Sequence, residues 1–551
     1  MGRASSRRVL IGAVLVAAFS ATQATLAFAA NGAAVCTASN DQTRPVVVAD
    51  GGGGVIIAWH DERPTTPGGG VVFAQRLNFA GIPQWTANGV ALSTTGDPEL
   101  PGIAADGSGG AFVAYGGNVQ PRIQRVNSAG ARQWGTDGTQ LSNSLSTKRD
   151  LAVVADVVGS GGAIVVWRED NASGGFADIY AQKVNAAGVI QWGMGGVPVT
   201  MTNMFNENLP ALVSDGAGGA FVAWGGGGGA RVQRLNASGA TQWGNTTLSG
   251  TINNNPPSII SDGSGGALIV WAGGGVYAQR VDGSGNKLWS PPNGGVQLST
   301  IGLVPRAIPD GAGGATVTWQ DFRSGTNYDI YAQGVSSSGA RKWMTNGVGV
   351  CNVTANQESP VIVADGGTGA IISWFDSRSG MTASDIYAQR IDVDGDPVWS
   401  LDGLPLCTAT GNQEFPAIAT DGAGGAFVAW QDRRSGTNFD IYAQRINPSG
   451  VTLNVPAETE ASGLGRSWPN PFSDRVHMAF SLPVETHVRM EVFDVDGRRV
   501  RSFEPALLAP GPHVLTWDGR ASEGRPAEEG IYFLRASGRG FELSRSVVRL
   551  K

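Results

Sequence analysis

Residues 309–350 read PDGAGGATVTWQDFRSGTNYDIYAQGVSSSGARKWMTNGVGV. An Asp-Gly turn and a Gly-Gly pair open the stretch, and an alternating apolar run follows that ends on Trp319. A hairpin leads to Tyr331-Ala332-Gln333, a four-residue turn ends on Gly339, and a second tryptophan, Trp343, precedes a short last run. Runs of about five residues bounded by Gly, Asn and Asp are strand signals. Together with the run before Asp310, the stretch reads as one unit of four strands.

The same order recurs from about residue 31 to 451. Its anchor aspartates are Asp50, Asp106, Asp156, Asp215, Asp262, Asp310, Asp365 and Asp421, spaced from 47 residues (Asp215 to Asp262) to 59 (Asp156 to Asp215). Eight copies at about fifty residues signal a propeller or a solenoid, and four strands per copy favour a propeller. In the seventh copy the strands are expected at 360–364, 370–375, 385–391 and 403–407. The chain ends decide between ring and open stack. The eighth copy stops at Gly450 without its second Trp and fourth strand, whereas residues 31–36, NGAAVC, match residues 346–351, NGVGVC, the fourth strand of copy six. A ring has a use for that displaced strand, because it completes the last blade and removes an open edge. The expected fold is all-β: an eight-bladed β-propeller closed by an N-terminal strand, followed by a small Ig-like β-sandwich.

Composition agrees with this. Among 551 residues, 82 are Gly, 41% are apolar and only 15% charged, a mixture suited to strands and tight turns. There is no Gly-X-Y period, which excludes collagen. The net charge of −6 comes without a basic stripe, so no nucleic-acid partner is expected. Arg3, Arg7 and Arg8, the apolar run 9–19 and Ala27-Phe28-Ala29 read as a signal peptide over 1–30. No later stretch is long enough to span a bilayer. The expected destination is therefore secreted, extracellular or on the cell surface. The domains follow as signal peptide 1–30, propeller 31–451, linker 452–465 and C-terminal domain 466–551.

Seven tryptophans follow the anchor Asp (Trp59, Trp167, Trp224, Trp271, Trp319, Trp374, Trp430), with Tyr115 in the eighth slot, and seven more end the turn. Recurrence in nearly every copy favours a place in the blade core over a sugar-stacking surface. Cys36, Cys351 and Cys407 occupy one slot in blades eight, six and seven, and are expected to stay unpaired because equivalent slots lie too far apart.

The strongest polar motif is Asp-x-Arg in the hairpin between strands two and three: Asp61/Arg63, Asp321/Arg323, Asp376/Arg378 and Asp432/Arg434. Such pairs serve either as a ligand clamp or as a hairpin ion pair repeated with the scaffold. In copies two, four and five these hairpins shrink to Gly-rich turns; in copies six, seven, eight and one they are long. Asn356-Gln357-Glu358, Asn412-Gln413-Glu414 and Asn40-Asp41-Gln42 enter blades seven, eight and one on the same face. One sector of one face thus collects polar groups, and Glu358, Glu414, Asp376, Asp432, Arg378 and Arg434 are the expected ligand-binding residues. A site has to break the repeat, because chemistry happens once per ring.

Catalytic signals are thin. His60 is the one histidine of the repeats, there is no HExxH, and no G-x-S-x-G stands between a strand and a helix, so no catalytic residue is assigned. Residues 392–396, DVDGD, begin like a calcium loop, but lie at a turn and lack the later Glu; no metal and no cofactor are expected.

After Gly450 the texture changes. Strands are expected at 476–482, 488–494, 499–503, 513–517, 531–536 and 541–550, as in a small antiparallel sandwich. Pro469-Asn470-Pro471-Phe472, Val492-Phe493-Asp494 with Gly497-Arg498, Trp517-Asp518-Gly519-Arg520 and Gly530-Ile531-Tyr532 resemble the C-terminal sorting domain of the type IX secretion system, and equally the Ig-like domain of the flagellar hook-capping protein (FlgD). The repeats resemble those of uncharacterised bacterial secreted proteins. The sorting resemblance implies export by outer-membrane secretion machinery, often with surface attachment. The reading that follows is a bacterial binding or interaction module presenting its loops to a glycan or peptide, rather than an enzyme. The alternative is a secreted carbohydrate-active enzyme that uses loop carboxylates. A third is a structural surface-layer component.

Overall fold

The computed structural model describes residues 31–551 apart from 64–69, 95–100, 117–119, 157–160, 171–174, 201–205, 228, 251, 254, 292–293, 381–382, 453–463, 469–471, 483–485, 509–510, 539–540 and 551. The signal-peptide segment, most of the expected linker and Pro469–Pro471 of the tail motif lie outside the described residues. The chain divides into two units, 1–455 and 456–551.

The first unit is an eight-bladed β-propeller. Each blade is a four-stranded antiparallel sheet, and its first strand is innermost. Neighbouring innermost strands pack against one another all the way round, from Gln42–Ala49 of blade 1 to Gln413–Thr420 of blade 8, which returns to blade 1. Blade 7 runs Gln357–Ala364, Ala370–Asp376, Asp385–Ile391 and Leu404–Cys407; its first strand begins three residues earlier than the alternation predicts.

Ring closure is as expected. Ala33–Cys36 forms the outer strand of blade 8, with Ala33 opposite Ala443, Ala34 opposite Tyr442 and Cys36 opposite Ile441 across a bulge. Asn31 and Gly32 both take left-handed conformations, φ 73° and 84°. A Cβ on Gly32 would stand 2.5 Å from the Trp430 ring, so this turn needs glycine on two counts.

The core lies between blades. Trp59, Trp167, Trp224, Trp271, Trp319, Trp374 and Trp430 are fully buried, each contributing roughly 4–6 kcal/mol at about 25 cal/mol per Å² of area removed from water. The anchor aspartates tie turn, strand and neighbour together. Asp365 Oδ1 accepts from the Gly367 and Gly369 amides at 2.9 and 3.0 Å, and Oδ2 meets the Arg390 guanidinium at 2.7 Å. Arg390 and the turn tryptophan Trp399 then both donate to the Pro448 carbonyl of blade 8, at 3.1 Å each. The same hook joins blade 5 to blade 6 through Arg280, Trp289 and Ser337. Blade 8 lacks the turn tryptophan, and there the Arg445 guanidinium, paired with Asp421, lies 3.3 Å from the centre of the Phe79 ring of blade 1.

The second unit is an Ig-like β-sandwich. One sheet contains Leu464–Trp468, Val476–Leu482 and Gly511–Trp517; the other contains Arg499–Ser502, Thr486–Asp494, Gly530–Gly538 and Phe541–Arg549, with Ala506–Leu508 also paired to Thr486–Asp494. Leu464–Trp468 opens two residues before the expected domain start at 466. Trp517 centres the core, edge-on to Phe472 at 5.5 Å and to Tyr532 at 4.9 Å. No helix is long and apolar enough to cross a membrane among the described residues.

Candidate ligand-binding face

The innermost strands of six blades enter through the same irregularity. The register shifts between Thr43 and Val46, Arg149 and Ala152, Asn208 and Ala211, Leu303 and Arg306, Glu358 and Val361, and Glu414 and Ala417. At each bulge one non-glycine residue takes positive φ: Arg44, Asp150, Leu209, Val304, Ser359 and Phe415, between 51° and 55°. Bulges re-aim side chains at the rims of closed sheets, and left-handed backbone at non-glycine residues is strained unless its surroundings hold it. Here the preceding blade holds it. The Ser359 amide donates to Gln320 Oε1 at 2.9 Å and the Arg44 amide to Gln431 Oε1 at 3.1 Å. A proline stands five residues before the anchor Asp in every copy but the third, which has Leu151, but it does not mark the bulges: the paired residues of copies two and five show no register shift despite it, and copy three shifts without it.

The entering connections and the hairpins between strands two and three share one face. The amide of Gln413 donates to the Ser384 carbonyl, that of Gln357 to Tyr328 and that of Gln42 to Phe439, each at 2.7 or 2.8 Å. On this face, over blades 7, 8 and 1, Glu358, Glu414, Phe415 and Arg44 come together. Phe415 is exposed and lies 6.2 Å from the Phe375 ring, with the Arg44 guanidinium 5.2 Å from its centre. Glu414 accepts from Asn412 Nδ2 at 3.0 Å and Gln431 Nε2 at 3.4 Å. The Glu358 carboxylate has no hydrogen-bond partner among the described residues, and burial, with the charge of Glu414 added to it, pushes it above the ordinary range.

The other four expected site residues are built into the scaffold. Asp376 is fully buried; it accepts from Trp374 Nε1 at 2.9 Å, the Arg378 amide at 2.9 Å and the Arg378 guanidinium at 2.6 Å. Asp432 is held in the same way by Trp430 and Arg434. Arg378 lies 3.9 Å above the Tyr387 ring and Arg434 3.7 Å above Tyr442. Each arginine also reaches back to the preceding blade's fourth strand: Arg378 meets Cys351 Sγ and Arg434 meets Cys407 Sγ, both at 3.1 Å. Arg63 meets Cys36 at 3.1 Å and Arg323 meets Ser299 at 3.2 Å. This explains the cysteine slot. All three thiols are free and buried, and burial pushes each up to about 12. Most of the entering amides are scaffold too, since Asn356 Oδ1 accepts from the Tyr328 amide and Gln357 Nε2 donates to the Ala355 carbonyl.

Between blades 5 and 6 is a cavity of about 260 Å³ lined by Ile301, Leu303, Phe322, Tyr328 and Gln320, among others. Gln320 of this lining also accepts the amide of Ser359, the residue after Glu358. The sequence reading missed this cavity, because its apolar side chains come from two loops that no repeat comparison ranks together. A depression of about 780 Å³ on the outer strands of blades 4 and 5 has walls of Thr, Ser, Gly and Leu248, with Asn286 and Lys287, and gathers no comparable set. No group of three or more His, Cys, Asp or Glu suited to a metal occurs among the described residues. Residues 392–396 form a turn in which Asp392 Oδ1 accepts the Asp394 and Asp396 amides at 3.0 Å.

The FlgD Ig-like domain family matches residues 473–540. No curated protein sequence matches the chain. Among solved structures, similarity extends to a protein of unknown function from Dyadobacter fermentans (9% identity, 75% of this chain and 97% of that one, TM-score 0.37). It also extends to an alpha-L-arabinanase from Penicillium chrysogenum (12% identity, 53% and 93%, TM-score 0.32). A third is the β-propeller domain of the Trilobed protease from Pyrococcus furiosus (8% identity, 67% and 98%, TM-score 0.37).

Proposed function

We propose that this protein is a non-catalytic binding module, secreted or displayed at the bacterial surface, whose propeller captures a polar ligand over blades 7, 8 and 1. The observation that carries the reading is the placement of Glu358 beside Glu414 at an exposed aromatic, with no hydrogen bond to the Glu358 carboxylate among the described residues. Two carboxylates that repel each other at a rim are relieved by a ligand cation or by hydroxyl donors. The exposed Phe415 ring beside the two carboxylates suits a peptide with a basic group next to an apolar side chain, or a glycan that stacks on the ring. The tail supplies the address, through its resemblance to type IX sorting domains, and the N-terminal thirty residues supply the first export signal.

The test is a combined glycan and peptide array probed with the mature chain and with Glu358→Gln/Glu414→Gln. Loss of at least about tenfold in affinity for whatever the wild type retains is expected; unchanged affinity removes the site from these residues. A raised carboxyl beside a second carboxyl group is also the arrangement of an acid/base pair, which favours the carbohydrate-active alternative. Release of reducing ends from an array-positive glycan, abolished by Glu358→Gln, would decide for it.

A further inference from the structure

The innermost strands surround the propeller axis, and the four positions before each anchor Asp form four stacked rings around it. The ring four residues before the anchor consists of Val46, Gly102, Ala152, Ala211, Ser258, Arg306, Val361 and Ala417. The next three rings, from Val47–Ala49 round to Ile418–Thr420, hold only apolar residues, Ser and Thr. Arg306 is therefore the one ionisable side chain in these rings, and it breaks an eightfold repeat where every counterpart is small and uncharged.

Its surroundings do not neutralise it. Arg306 Nη1 donates to the Pro305 carbonyl of its own strand at 3.0 Å, which keeps the guanidinium at the innermost strand instead of outward along the blade. No carboxylate lies against it among the described residues: burial alone acts on it, pressing its ionisation downward, and no nearby acid opposes this. Yet part of its surface remains open, so the guanidinium is still reachable by a small solute. The contrast with the blade scaffold is direct, since Arg63, Arg76, Arg125, Arg234, Arg280 and Arg390 each sit on an aspartate. A guanidinium stays charged at any physiological pH and presents five donors, and a charge taken out of bulk water needs a counter-charge. On the neighbouring blade, Ser258 of the same ring accepts the Ala307 amide at 3.1 Å, which leaves its hydroxyl proton to donate beside Arg306.

We propose that the axial space binds one small oxyanion, a carboxylate or phosphate group, held by Arg306 with Ser258 as second donor. A planar guanidinium fork pairs with two oxygens of such a group. The oxyanion is either a free ion or the end group of a larger molecule. This site is independent of the acidic pair, and neither reading depends on the other.

The test is thermal unfolding of the mature chain at constant ionic strength against rising inorganic phosphate or acetate, with chloride as comparator. The wild type should show a saturable rise in midpoint. Arg306→Val, which copies Val46 and Val361 of the same ring, should fold with wild-type circular dichroism and lose at least about tenfold in apparent affinity. Ser258→Ala should lose less. Saturation by phosphate or acetate but not by the alkyl diester of phosphate marks a free ion; equal response to a short peptide carboxylate marks an end group. A wild type without saturable response, or an Arg306→Val protein that responds as the wild type does, overturns the proposal. Should Arg306→Val fail to fold, Arg306→Lys decides, since it keeps the charge but not the fork: affinity equal to wild type for phosphate and acetate alike then counts against the site.

Discussion

A carboxylate facing another carboxylate inside a protein holds its proton to higher pH than one in water. Asp440 stands directly opposite Asp432 across strands two and three of blade 8 and is buried; burial first, and the charge of Asp432 after it, push it from 3.8 to about 6 although Asn438 Nδ2 donates to it at 3.0 Å. Because the folded value lies above the unfolded one, the stability Asp440 contributes is fully present below about pH 4 and is lost as pH rises through about 6. Asp440→Asn should remove this dependence. In urea unfolding, the variant is expected to gain on the wild type by up to about 3 kcal/mol between pH 4 and pH 7.5; a difference that stays constant with pH would show that Asp440 titrates normally. Asp329 and Asp385 are raised by the same burial. At this scale the sequence was only half legible. The Asp-x-Arg motif stood out, but its reason did not, since the tryptophan two residues back and the thiol of the preceding blade meet it only after folding.

Strand length records where the ring is reinforced. The fourth strands of blades 1 to 4 have two residues each, whereas those of blades 5 to 8 have four: Val296–Ser299, Val348–Cys351, Leu404–Cys407 and Ala33–Cys36. The added residues deliver Ser299, Cys351, Cys407 and Cys36 to the arginines of blades 6, 7, 8 and 1. Where the Asp-x-Arg hairpin is absent, in blades 4 and 5, Trp224 Nε1 and Trp271 Nε1 lack hydrogen-bond partners among the described residues. The ring strand itself is testable. Deleting residues 31–37 strips Val35 and Cys36 from the core and takes the Asn31 carbonyl, 2.7 Å away, from Arg434. The loss should reach roughly 3 kcal/mol or more, read as a lower thermal midpoint; an unchanged midpoint would mean that this strand adds nothing to closure. The repeat, the four-strand blade and this displaced strand were all legible because each depends on alternation and turn residues. The bulges were not, because their left-handed residues include Phe415, Leu209 and Val304, whose side chains argue against such backbone.

On the proposed reading, binding and delivery fall to separate units of the chain. The sandwich has its own core around Trp517, so removing 466–551 should leave propeller circular dichroism and melting intact. In a native host the truncated chain should stay inside; its recovery at the cell exterior would show that the tail is no address. Function was the least legible part, because the candidate sites are small departures from the repeat: Glu358 and Glu414 in two copies, and Arg306 at a position that is otherwise small and uncharged.

The displaced strand also sets an order in time. Asn31 and Arg434 are 403 residues apart, so the first segment of the propeller to be synthesised is the last to find its place. At about 5–20 residues per second the segment waits roughly 20–80 s for its partner. During that interval seven blades can assemble while Arg63 still lacks the Cys36 thiol, because Cys36 takes its place only with the outer strand of blade 8. Pairings so distant in sequence form slowly even when the final state is stable. Masking residues 31–36 during that wait, before Ile441 emerges, would therefore leave the outer edge of blade 8 bare for the same interval.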